Sequence, residues 1–145
     1  MKCTSRIRIN QAKIKQLTRG VIVSAEQTAE ALHTEIIQAE VVPRRDGALQ
    51  GEKFFVDTSQ SSRGRFSLVH EGPYARRLYF HPEYHFHKEP WEETIEHKDG
   101  RVSHLKHDGN PNAKGKWFED WLPGGKKDTF VPDTFKKLYR RNSGL

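Results

Sequence analysis

Ile14, Leu17, Val21, Ala25, Thr28, Leu32, Ile36 and Ala39 recur at spacings of three and four, which lays one mostly apolar stripe along a helix. The stripe predicts a long helix from about residue 11 to 40, with Asn10 placed to cap its start. Gly20 before the β-branched run Val21-Ile22-Val23, and Ser24 with Gln27 at capping-box spacing, predict a kink or break inside it. Ahead of the helix, Arg6-Ile7-Arg8-Ile9 alternates polar with apolar residues and reads as an edge strand. Pro43 ends the helical region and Asp46-Gly47 marks a turn.

Lys53 to Asp57 and Arg65 to His70 are rich in aromatic and β-branched residues and predict an antiparallel hairpin, with Phe54, Val56, Phe66 and Leu68 facing the long helix. Pro73 to Tyr79 reads as a short helical turn. Trp91 to Ile95 and Arg101 to Leu105 flank Asp99-Gly100, which predicts an exposed ribbon closed by a two-residue type I′ turn. A helical turn at Lys116 to Leu122 breaks at Pro123-Gly124-Gly125. A last helix then runs from a cap at Asp128 or Thr129 to about Arg141, burying Val131, Phe135, Leu138 and Tyr139. The expected fold is α+β: a long N-terminal helix and a C-terminal helix packed on a small antiparallel β-sheet, with an inserted β-hairpin. At 145 residues it is expected to form a single domain spanning 1–145.

Only 34% of the residues are hydrophobic and the mean hydropathy is -0.87, so the core is expected to be thin and helped by neighbouring subunits. There is no apolar run of about 18 residues and no apolar stretch in the N-terminal MKCTSRIRINQAK, which predicts a soluble chain folded in a cytoplasm with no membrane partner. Cys3 is the sole cysteine, so an internal disulfide is excluded. The net charge of +6 is uneven: residues 1–45 carry eight Lys/Arg against four Asp/Glu, 46–112 nine against eleven, and 113–145 eight against four. Basic ends of this kind attract either DNA or an acidic protein patch.

His81, His85, His87, His97, His104 and His107 crowd one region, and on a strand His85 and His87 would share a face. Their spacing matches no zinc signature and no cysteine joins them, so no metal is assigned. Glu92, Glu93, Glu96, Glu119 and Asp120 sit among lysines in solvent-like surroundings, unlike a general acid-base pair. Ser67 and His70 would point to opposite faces of a strand, and no phosphate-binding loop is present. No catalytic residue and no cofactor is assigned, and an enzyme is not expected.

Two blocks stand out instead, PYARRLYFHPEY from Pro73 and NPNAKGKWFEDWLPGGKK from Asn110. Tyr74, Tyr79, Phe80, Tyr84, Trp117, Phe118 and Trp121 bury large areas, while Arg76, Arg77 and Lys116 supply charged hydrogen bonds, a mixture typical of protein interfaces. These residues are the expected subunit and partner contacts. The alternative is a nucleic-acid-binding surface, with Tyr74, Trp117 and Trp121 stacked on bases and Arg76, Arg77 and Lys116 on phosphates. The helical spacing of Trp117, Phe118 and Trp121 also fits packing in a core.

The sequence VDTSQSSRGRFSLVHEGPYARRLYFHPEY followed by NPNAKGKWFEDWLPGGKK resembles the minor capsid proteins of long-tailed phages and prophages of Gram-positive bacteria, over about Lys13 to Arg141. More remotely, Asp46-Gly47-Ala48-Leu49 and Tyr74-Ala75 are similar to the D-T-G-x-L and Y-A motifs of head-tail joining or tail-completion proteins, although the threonine is absent. The resemblance implies a virion structural protein made in the bacterial host cytoplasm and placed at the head-tail junction. It further implies a homo-oligomeric ring touching neck (portal and stopper) and tail proteins, with possible contact with passing DNA. Against the family pattern, about residues 88–109 are an insertion that carries the Asp99-Gly100 hairpin.

Overall fold

The computed structural model describes residues 1–44 and 49–145, so the expected turn at Asp46-Gly47 lies outside the described residues. Helix α1 (Gln11–Gln38) starts where Asn10, extended at φ -79° and ψ 92°, accepts the Lys13 N–H through its side chain at 3.0 Å. It runs through Gly20 as one continuous helix, which corrects the expected break. Gly20 is there for close packing: a Cβ at this position would lie 3.1 Å from Ser143 Cβ of the last helix. Its helix-propensity cost of about 1 kcal/mol is set against that close approach. Beyond Gln38, Glu40 turns the chain with a positive φ of 53°, and Val41 and Val42 drop into the core.

Ser24 and Gln27 serve the same contact and do not form a capping box. Asn142 Nδ2 donates to Ser24 Oγ at 3.1 Å and to Gln27 Oε1 at 2.9 Å, and the Thr28 hydroxyl donates to the Ser24 carbonyl at 2.6 Å. Helix α3 (Phe130–Ser143) therefore runs antiparallel to α1, with Gly20 beside Ser143 and Glu35 near Lys127 at the other end. Thr129 precedes α3 without a side-chain cap, while Gly144, at φ 70°, closes its other end. Asn142→Ala is expected to cost about 1–2 kcal/mol in urea unfolding, because it strips a half-buried seam of its donor. Arg141→Ala, at an exposed position, is expected to shift stability by less than about 0.5 kcal/mol.

Strands β1 (Phe54–Asp57) and β2 (Ser67–His70) pair antiparallel with Phe54 opposite His70 and Val56 opposite Leu68. The long helix covers this hairpin: His33 Nε2 lies 3.0 Å from the Phe54 carbonyl oxygen. Helix α2 (Ala75–Phe80) follows. Strands β3 (Trp91–Glu96) and β4 (Val102–His107) form a second two-stranded antiparallel sheet. Its turn corrects the two-residue reading, because the His97 N–H donates to the Arg101 carbonyl and Gly100 takes φ 85° after Asp99 at negative φ. That is a three-residue loop closed by a left-handed glycine.

The α+β class is as expected, with two differences. Helix α3 packs mainly along α1, and Arg6 to Ile9 forms no strand but is exposed and irregular. An alternating tetrapeptide with no sheet edge to pair with has nowhere to place its backbone hydrogen bonds except water. The main core joins Ile36, Val41, Val42, Phe54, Trp117 and Trp121, with Leu32, Leu68, Leu78, Tyr79 and Phe118 around them.

Candidate contact surface

The two aromatic blocks meet in space. Gly115 lies so close to Pro82 that a Cβ there would be 2.6 Å from the proline Cα, and the Lys116 N–H donates to the Tyr79 carbonyl at 2.7 Å. Lys116 itself takes a left-handed φ of 48° to make this turn. The junction aims Trp117 inward, its ring edge-on to Tyr79 at 4.9 Å and 89°.

Helical phase then divides the predicted contact residues. Ala75, Leu78 and Tyr79 sit at spacings of three and four and face the core, which leaves Arg76, Arg77 and Phe80 on the outside of α2. Tyr74 is 68% exposed and Phe80 59% exposed. Arg77 Nε donates to the Tyr84 hydroxyl at 3.0 Å, and this hydrogen bond, with the Tyr84 charge, pushes the guanidinium pKa further up. Tyr84 stacks on His81 at 4.8 Å, and His81 Nδ1 lies 2.6 Å from Glu83, whose carboxyl is held below its usual range mainly by that bond. The Tyr84 hydroxyl thus holds Arg77 on the outer face of α2, beside the exposed Tyr74, Arg76 and Phe80.

Trp117, Trp121, Tyr79 and Phe118 are spent differently. Trp117 is only 1% exposed, Trp121 is also buried, and Tyr79 and Phe118 pack half-buried against them. Burial, followed by the charge of Glu119, raises the Tyr79 hydroxyl pKa. The expectation that the KWFEDWL block supplies open contact surface is corrected: its large rings fill the chain's own core. The same burial withdraws Trp117 and Trp121 from stacking on bases. Lys116 remains at the surface, 3.9 Å from Glu119, and Lys127 lies over the Trp121 ring at 5.0 Å while pairing with Glu35 at 3.0 Å.

The histidines also separate. His85 and His87 lie on no strand; His87 stacks on Trp91 at 3.9 Å, and His107 also stacks on that indole at 4.4 Å. Among the described residues, no three His, Cys, Asp or Glu side chains gather as a metal site would require. Asn110 and His70 carry structure that sequence reasoning missed. Asn110 is fully buried and donates through its side chain to the Val42 carbonyl, tying the second block to the segment that follows α1. The Asn-Pro-Asn run is the available signal, since Asn112 makes a parallel bond to the Ala39 carbonyl at 3.0 Å.

The geometry defines an α+β protein with an exposed aromatic and cationic helix face. Set against models of protein families, curated proteins and solved structures, the chain matches none of them. No helix among the described residues is long and apolar enough to cross a membrane.

Proposed function

We propose that this chain is a structural virion protein, a minor capsid protein of the head-tail connector or tail-completion ring. In this reading its copies meet head to tail and touch the phage neck and tail proteins. The observation that carries it is the outer face of α2, where Tyr74 and Phe80 stand in solvent beside Arg76 and Arg77 on a helix anchored from behind by Ala75, Leu78 and Tyr79. Rigid aromatics flanked by guanidinium groups are the residues that dominate interface energetics, and a preorganised face loses little entropy on binding. The likeness of both aromatic blocks to the phage minor capsid proteins gives the kind of assembly. A ring needs two different complementary surfaces on each copy, closed by rotation.

The double variant Tyr74→Ala, Phe80→Ala is expected to leave the melting temperature unchanged and to reduce joining of heads to tails. Each anchor is expected to contribute about 2 kcal/mol to the contact. Negative-stain counts of joined particles and infective titre measure the loss. Wild-type joining by the variant, or virions that lack the chain, would refute the proposal.

A further inference from the structure

An apolar cavity of about 450 Å³ opens between the C-terminal half of α1, the aromatic block and the start of α3, with Leu32, Tyr79, Phe118, Leu122 and Val131 on its walls. We propose that this groove receives the N-terminal segment Arg6 to Ile9 of a second copy of the chain. The inference rests on the self-association in the proposed function and names one contact that would produce it.

The segment has the properties of an unseated ligand. Ile7 is 87% exposed and Ile9 61% exposed, in a stretch with no regular structure. When extended, residues two apart point to one side, so both isoleucines can enter an apolar slot together while Arg6 and Arg8 remain on the polar side.

Its own groove is out of reach. Leu32 lies about 32 Å along the axis from Gln11 at the helical rise of about 1.5 Å per residue. The chain from Gln11 back to Ile7 spans at most about 14 Å fully extended. Because α1 is unbroken from Gln11 to Gln38, no hinge in it shortens the path. Ile7 and Ile9 can therefore fill this groove only on another copy.

Charge favours the same pairing. Residues 1–25 contain Lys2, Arg6, Arg8, Lys13, Lys15 and Arg19 and no acidic residue. The groove has the Asp128 carboxylate in its lining, with Glu119 and Asp133 exposed next to lining residues in the chain. Lys116, 3.9 Å from Glu119, and Lys126 offset part of this charge, whereas the nearby Lys127 is engaged by Glu35 at 3.0 Å, which leaves Asp128 and Asp133 as the acidic groups open to the arm. A cationic arm leaving one end of α1 and a groove near its other end form a heterologous pair that repeats from copy to copy.

Cys3, exposed and the sole cysteine, lets the full-length chain test this directly. A thiol-coupled photo-crosslinker is placed on it in a mixture of isotopically light and heavy copies, and the crosslinked peptides are mapped by mass spectrometry. Light-to-heavy crosslinks to residues 118–132 are expected. The double variant Ile7→Asp, Ile9→Asp is expected to reduce them by about tenfold or more and to lower the sedimentation coefficient, with an unchanged melting temperature. Crosslinks between copies that map elsewhere would overturn the arm contact while leaving self-association standing. A chain that sediments only as a monomer overturns both. Retention of DNA or anionic vesicles through this segment, with no crosslink between copies, would assign it to a polyanion and overturn the proposal.

Discussion

Trp117→Ala is expected to abolish cooperative folding or to lower stability by about 3–5 kcal/mol, the range for deleting a large buried aromatic. Trp117 is among the largest fully buried side chains and shares a cluster with Ile36, Val41, Val42, Phe54 and Trp121. Its ring also meets Tyr79 edge-on at 4.9 Å and His70 at 5.2 Å. Against a total stability of about 5–15 kcal/mol for a domain, the loss is a large fraction, and this core is thin. Trp117→Phe is expected to cost less. The indole Nε1 has no hydrogen-bond partner among the described residues, so no bond is lost with it. Thermal melts with soluble yield measure both variants. A Trp117→Ala protein that melts like the wild type would exclude the core placement and return this indole to the contact surface.

The helical period of α1 was legible in the three- and four-residue spacing, but the buried face only in its C-terminal half: Ile14 and Val21 of the stripe are exposed, while Gly20, Ser24 and Thr28 are buried. The function of Gly20 was not, because what fills the space above it is Ser143, and Ser24 finds its donor in Asn142, 118 positions later. Local signals for a break and a distant close packing look alike in one sequence. The aromatic blocks show the same ambiguity. Both were identifiable, yet the division between Tyr79 facing in and Phe80 facing out depends on the helical phase of α2, which is fixed by where Ala75 and Leu78 anchor. Trp117 and Tyr74 belong to the same class of side chain and end in opposite environments: Trp117 follows the left-handed turn at Lys116 into the core, while Tyr74 precedes α2 in solvent. Histidine crowding points to residues 81–107, whereas the imidazole packed into the aromatic core is that of half-buried His70, which pairing opposite Phe54 places there.

His70 carries the second large expected effect, a loss of stability as the pH falls from about 6.5 to about 4. Its ring stacks on Phe54 at 4.0 Å and 16° and lies within 5.6 Å of Phe118, and both ring nitrogens are shut from solvent with no hydrogen-bond partner among the described residues. Desolvation, and secondarily the charge of His33, pushes its pKa down from 6.5 to about 4. In the unfolded chain the imidazole titrates near its ordinary value of about 6.5. Between these two values the unfolded state holds a proton that the folded state does not, so stability rises with pH in this window. The contribution is therefore complete above about 6.5 and lost as the pH falls towards 4. Its size is about 2 kcal/mol after the full shift is discounted for partial solvent screening around the half-buried residue. His70→Phe keeps the stacked ring and removes the proton site along with two unsatisfied nitrogens. It is expected to be more stable than the wild type at pH 5, with the difference shrinking as the pH rises to 7. Urea unfolding midpoints of the two proteins across that range measure the difference; a gap that stays constant with pH would show that His70 does not titrate between the folded and unfolded states.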